Sequence, residues 1–139
     1  PLQTNKVDSA LRLFNTIQTV DRSRLVDEIY KSIQKQKFPI VTKNFFLQVN
    51  IGDEPQKSGI SVDQLSELYD KCLKFNLNIT GLMCIPPANV KPDPYFEKML
   101  TLRDNLNSEL ELSMGMSSDY EIALKLNSDI VRIGSLLFL

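Results

Sequence analysis

The sequence contains no histidine. That absence removes histidine-dependent triads, histidine general bases and histidine metal ligands together. Chemistry in this chain must run on Lys, Tyr, Cys, Ser or carboxylate groups, or arrive with a cofactor. Cysteine is nearly as scarce. Cys72 and Cys84 are the two present, too few for a disulfide framework, and a reduced, cytoplasmic setting is the expectation. A charge excess is also missing: 16 basic against 17 acidic residues leave a formal net charge of −1. This balance points away from nucleic acid and from an anionic membrane surface. No apolar run approaches the roughly 20 residues needed to span a bilayer. The N-terminus is neither basic nor followed by an apolar core, so no signal peptide is expected.

What is present is apolar material for one packed domain, 1–139, with 42% hydrophobic residues. The ends look cut. The chain opens on "PLQTNK" and stops on "VRIGSLLFL", inside an apolar run. A fragment is the expectation.

The elements alternate. Val7 to Leu13 reads as a helix, and "NTIQTVD" at 15–21 offers a short strand with Ile17 and Val20. Asp21 is placed to cap a helix from about Arg22 to Lys35. Leu25, Val26, Ile29, Tyr30 and Ile33 of that helix share one face. "NFFLQVNI" at 44–51 is a near-continuous apolar strand, followed by the loop "GDEPQKSG". Ser61 with Gln64 has the pattern of a capping box opening a helix that carries Val62, Leu65, Leu68, Tyr69, Cys72 and Leu73. "LNITGLMCI" at 77–85 is the next strand, stopped by Pro86 and Pro87. A helix bearing Phe96, Met99, Leu100 and Leu106 follows, then the strand "ELSMG". Ser118 and Glu121 form a second capping-box pattern, opening a helix to about Leu126, and the last strand is predicted over 129–138. Near-continuous apolar strands alternating with amphipathic helices predict a parallel sheet covered by helices. Five strands are expected, plus a stub at "PLQ"; a closed eight-stranded barrel typically needs about 250 residues.

The order and motifs together resemble the pyridoxal phosphate homeostasis protein family, relatives of the alanine racemase N-terminal barrel domain. The resemblance lies in "LQTNK" at 2–6, "TVD" at 19–21, "LQVNIGDEPQKSGI" at 47–60, "GLMCIPP" at 81–87, "YFEKM" at 95–99, "LSMGMSSDYEIAL" at 112–124 and "VRIGS" at 131–135. It implies an α/β fold, here a partial (β/α)8 TIM barrel of the alanine racemase type. About five strand–helix units are expected, corresponding to the family's strands 4–8 plus the end of strand 3. It implies pyridoxal 5′-phosphate as the cofactor. The family's lysine, which holds the cofactor covalently, and its asparagine-containing second strand would both precede Pro1. The family usually continues "VRIG" with threonine and ends that strand "IFG"; here Ser135 keeps a hydroxyl, but "SLLFL" departs from the pattern.

By the same resemblance Ser117, Gly134 and Ser135 contact the cofactor phosphate, with Gly115 allowing close backbone approach. A purely structural account also stands, with Ser118 as N-cap to Glu121 and Ser117 as turn filler. Arg132 sits inside an apolar strand. It either bridges a carboxylate such as Glu111 or Asp129, or, as the resemblance implies, faces the cofactor's pyridine nitrogen and disfavours its protonation. Asn50 is read either as a rim residue in contact with cofactor or as a turn former before Gly52. Met116, with Met83 and Met114, reads as pocket wall or core. Lys57, Lys6, Gln3 and Asn5 are ambiguous, and Cys84 reads as a small buried hydrophobe. Three functions compete. The first is a binder that keeps intracellular pyridoxal 5′-phosphate low and serves dependent client enzymes. The second is a racemase-like enzyme on the same cofactor, and the third is a remnant that binds nothing. The resemblance puts the binder first, and it leaves the oligomeric state open.

Overall fold

The structure, a computed structural model, describes residues 1–35 and 37–138. After a single 3-10 turn at Thr4–Lys6, helices and strands alternate: α1 (Val7–Leu13), β1 (Thr16–Val20), α2 (Ser23–Lys35), β2 (Asn44–Val49), α3 (Leu65–Lys74), β3 (Ile79–Cys84), α4 (Asp93–Leu106), β4 (Glu111–Met116), α5 (Tyr120–Lys125) and β5 (Ile130–Arg132). All neighbouring strands pair in parallel, and their order in the sheet, β1-β2-β3-β4-β5, is their order in the chain. Each crossover helix therefore steps one strand in the same sense. That is the winding of a (β/α) barrel, not of a doubly wound open sheet. The five strands curl into a half-barrel, as the partial barrel reading expects. Among the described residues no helix is long and apolar enough to cross a membrane.

Strand alternation divides the side chains between two faces. Ile17, Phe45, Leu47, Val49, Leu82, Cys84, Leu112 and Met114 enter the main core. They pack there against Leu25, Val26 and Ile29 of α2, Leu65 and Leu68 of α3, Phe96 and Met99 of α4, and Ala123 of α5. The inner face carries Gln18, Phe46, Gln48, Met83, Ser113 and Arg132. Gln48 pairs in register with Met83, and Met83 with Ser113. The buried Phe46 ring lies over Gly81, where a Cβ would collide with it. Both faces are buried along β2, which explains its unbroken apolar run.

Several local expectations change. The capping role of Asp21 does not appear: its carboxylate pairs with Arg22 at 2.5 Å and accepts the Gly59 N–H at 3.4 Å. It ties the β1 exit to the loop before α3. Ser61 precedes a 3-10 turn at Val62–Gln64, and its hydroxyl bonds the Gln64 side chain at 3.1 Å instead of a backbone amide. The expected stub at "PLQ" makes no strand. The last strand is shorter than predicted. It ends at Arg132, and Ser135–Phe138 form a 3-10 turn with Leu137 71% and Phe138 88% exposed. An apolar run stays extended only where a neighbouring strand receives it, and β4 has already turned away at Met116.

Candidate functional site

The site is built where β4 and β5 end, on the carboxyl rim where barrel ligands bind. β4 leaves the sheet through Gly115, at φ +96°. A side chain there would put its Cβ 2.5 Å from the Ala123 Cβ. The missing side chain therefore lets α5 pack closely. The turn is closed by Asp119. Its Oδ1 accepts the Met116 N–H at 2.7 Å, and its own N–H donates to the Met116 carbonyl at 3.0 Å. Asp119, not Ser118, is the N-cap residue of α5, and the Ser118–Glu121 box does not form. An aspartate one residue later competes better for the turn amide, and Glu121 instead accepts from the Tyr120 hydroxyl at 3.3 Å.

This turn aims Ser117 across to the exit of β5. Its Oγ accepts the N–H groups of Gly134 at 3.3 Å and Leu136 at 3.5 Å. Two amides converging on one hydroxyl oxygen make a donor pair that a phosphate oxygen, being charged, would engage more strongly. Met116, Ser117, Ser118, Arg132, Gly134, Ser135 and Leu136 wall a cavity of about 500 Å³. Among the described residues, apart from its two chain neighbours, no atom lies within 4 Å of where a Gly134 Cβ would stand. The edge strand β5 is held in place by Ser128 and Asp129. Ser128 Oγ reaches the Leu112, Met114 and Ile130 carbonyls at 3.2, 2.8 and 2.9 Å, and Asp129 Oδ2 accepts the Leu112 N–H at 2.7 Å.

Arg132, in register with Met116, forms the inner wall. Its Nη1 donates to Ser113 Oγ at 2.7 Å and its Nη2 to the Cys84 carbonyl at 2.8 Å. The Ser113 hydroxyl in turn donates to Gln18 Oε1 at 2.7 Å. The carboxylate bridge considered for Arg132 is not made: no ion pair among the described residues involves it, and Asp129 is engaged by Leu112. Burial lowers the guanidinium pKa from its ordinary value, opposed by the Cys84 thiol and the Asp119 carboxylate. A half-buried cation whose hydrogen bonds go to neutral oxygens attracts an electron-rich partner.

Of the residues predicted for the site, Met116, Ser117, Arg132, Gly134 and Ser135 come together around one cavity. Asn50 does not join them. Its amide folds back on the loop, donating to the Glu54 carbonyl at 2.9 Å and accepting the Glu54 N–H at 3.2 Å. Lys57 pairs with Glu54 at 2.7 Å and reaches the Pro86 carbonyl at 3.4 Å. Sequence reasoning missed Gln18, Ser113 and Leu136. The first two were discoverable: each is a polar residue inside an apolar strand, and polar side chains there must find partners.

Burial pushes the thiols of Cys84 and Cys72 up to about 12; Arg132 opposes this at Cys84 with Asp119 reinforcing it, and Lys71 opposes it at Cys72. Both side chains are inaccessible. Iodoacetamide at about pH 8 is therefore expected to leave the folded chain unlabelled and to label both cysteines once it is denatured, read by intact mass. The raised values also set a sign. Below the unfolded thiol value of about 8.5 both states keep the proton. Above it only the unfolded state releases it, so stability falls as pH rises toward about 12. The denaturant midpoint should move down across that window.

Comparison with known proteins gives a consistent picture. Residues 2–139 match the family model described as the N-terminal domain of alanine racemase. A protein of Aquifex aeolicus named pyridoxal phosphate homeostasis protein is 40% identical, over 99% of this chain and 63% of its own length. The structure of PipY from Synechococcus elongatus PCC7942 with PLP bound superposes with a TM-score of 0.83 at 27% identity, covering 100% of this chain and 68% of that one. An alanine racemase of Clostridium difficile 630, at 13% identity and a TM-score of 0.69, covers 99% of this chain and 37% of its own and shares the fold. The chain spans about three fifths of the length of the curated relatives it matches, 63% for the Aquifex protein and 61% for one from Escherichia coli K12.

Proposed function

Since the chain belongs to the alanine racemase N-terminal domain family, we propose that it binds pyridoxal 5′-phosphate on the rim of its half-barrel and takes part in intracellular homeostasis of that cofactor. The names of its relatives and the PLP-bound PipY structure support the ligand class. The observation that carries the reading is the cavity itself, where two backbone amides converge on Ser117 beside a half-buried arginine that makes no ion pair among the described residues.

The residues present fit the cofactor's two ends. Ser117, Ser135 and the amides of Gly134 and Leu136 offer donors for the phosphate, and Gly134 leaves open space beside them. Arg132 is the residue for the pyridine nitrogen and Met116 the apolar wall. Asn50 enters through the 50–54 turn it builds on the same rim. Pyridoxal 5′-phosphate supplies an aldehyde and a ring that can act as an electron sink. An arginine at the ring nitrogen disfavours its protonation and so weakens that sink. None of the seven lining residues is a neutral-pH general base, so the set binds and orients. We assign the activity to the cytoplasm, with PLP-dependent enzymes as clients; two buried free cysteines agree with a reducing compartment.

The test is an absorbance titration of the 139-residue chain with pyridoxal 5′-phosphate, followed by displacement with inorganic phosphate. Saturable binding that phosphate displaces is expected; a linear, non-saturating response would overturn the reading. Gly134→Ala sharpens it. The added methyl meets no described residue beyond its chain neighbours, so stability should stay within about 0.5 kcal/mol. It projects into ligand space, so affinity should drop roughly tenfold, about 1.4 kcal/mol. Equal affinity in the variant would remove Gly134 from the phosphate cradle.

A further inference from the structure

We propose that Gln18 and Ser113 are positioning residues that fix the Arg132 guanidinium through a neutral relay, and that the amide at position 18 keeps the arginine's charge available to a ligand in the cavity. This rests on the reading of that cavity as a pyridoxal 5′-phosphate site.

The relay has one possible direction. Arginine has donors only, so Arg132 Nη1 must donate to Ser113 Oγ at 2.7 Å. The Ser113 hydroxyl is fully buried, so its proton must go to a protein acceptor. Gln18 Oε1, at 2.7 Å and 95 residues away in the chain, takes it. The Cys84 carbonyl fixes the second guanidinium nitrogen at 2.8 Å. Two nitrogens pinned from β3 and β4, with β1 behind Ser113, leave the guanidinium no freedom to swing from the cavity wall. Every partner is neutral. The register neighbour Gln48 belongs to the same face, and its Oε1 is buried with no hydrogen-bond partner. The cation's hydrogen-bond partners are thus hydroxyl and carbonyl oxygens, and the Asp119 carboxylate, held by the Met116 N–H, acts on it only through space. A carboxylate in place of Gln18 would accept the same Ser113 proton and also neutralise Arg132.

That gives opposed signs for one nearly isosteric change. Gln18→Glu should raise the melting temperature of the ligand-free chain, because a half-buried cation gains a counter-charge. It should weaken pyridoxal 5′-phosphate roughly tenfold, about 1.4 kcal/mol. In a complex with ¹⁵N-labelled cofactor, the pyridine nitrogen resonance should move toward its protonated position. A purely structural glutamine would move stability and affinity in the same direction and leave that resonance unchanged; this result would overturn the proposal.

The positioning half is read without ligand. In the ligand-free chain the Arg132 Nη1–H signal should be rigid and slow to exchange. It should lose both properties in Ser113→Ala and keep them in Ser113→Thr, which retains the hydroxyl. Gln18→Leu removes the acceptor from a half-exposed position and serves if Ser113→Ala does not fold. An unchanged Arg132 signal in the folded variants would refute the relay. A wild-type chain that binds no pyridoxal 5′-phosphate would instead refute the ligand reading, while the Nη1–H measurement still decides the relay.

Discussion

Arg132→Met is expected to weaken pyridoxal 5′-phosphate by about two orders of magnitude while leaving the chain folded. The guanidinium is the one full positive charge among the seven cavity-lining residues. Hydrogen bonds to charged groups contribute about 1.5–3 kcal/mol each, and every 1.4 kcal/mol is about tenfold in affinity. Losing the cation removes about 3 kcal/mol on that scale. Stability should respond differently. Methionine keeps an apolar stem in place of the arginine methylenes, and exchanging a buried ion for an apolar group is often neutral. Against this, the Cys84 carbonyl loses its donor at 2.8 Å, while Ser113 keeps Gln18. A loss of about 1 kcal/mol is expected. Titration calorimetry and a thermal melt on the same sample check both halves. Wild-type affinity in the variant would mean that Arg132 is structural and that the phosphate end does the binding.

Gly115→Ala should have the largest effect on stability among these substitutions, and binding should be lost with it. At φ +96° an L side chain is disfavoured by roughly 1–2 kcal/mol. The new Cβ would also stand 2.5 Å from the Ala123 Cβ and 3.1 Å from the Tyr120 Cα, overpacking that adds about 1–3 kcal/mol. The sum, about 2–5 kcal/mol, is a large share of a domain stability on the order of 5–15 kcal/mol. The melting temperature should fall by on the order of 10 °C. Because α5 is what the clash displaces, the turn that aims Ser117 moves too. Combining the change with Ala123→Gly should recover the packing share but not the backbone share, so the two substitutions will not add. A Gly115→Ala chain that melts with the wild type would show that α5 is free to shift and that the turn does not depend on close packing.

The fold was largely legible. Strands such as "NFFLQV" and "ITGLMC" carry the unbroken apolar character of a parallel sheet buried on both faces. The helices between them carry one apolar stripe each, so the α/β alternation followed from periodicity. The ends of elements were less legible. Asp21, Ser61 and Ser118 all have cap-forming side chains, yet Asp21 serves Arg22 and Gly59, Ser61 serves Gln64, and Asp119 replaces Ser118 as the N-cap residue of α5. Cap preference is a weak local energy, and a nearby partner of similar strength redirects it. The apolar run after Arg132 failed for a different reason: extended structure needs a neighbouring strand, and no local signal reports where that neighbour turns away.

The same division runs through the site. Ser117, Gly134 and Ser135 could be named from "GMSSD" and "VRIGS" because turn chemistry is local and family motifs are contiguous. What Arg132 touches could not be named. Its partners come from Ser113 on β4, Cys84 on β3 and, through Ser113, Gln18 on β1. The sequence by itself determined the strand–helix alternation, the rim residues and the absence of histidine chemistry, all of which depend on residue type and near neighbours. Only the tertiary structure decided that Arg132 has neutral partners, that Gly115 serves helix packing and that Asn50 is engaged by its own loop. Each of these depends on which strands curl toward one another, and that long-range closure brings Gln18 and Ser113, 95 residues apart, to 2.7 Å.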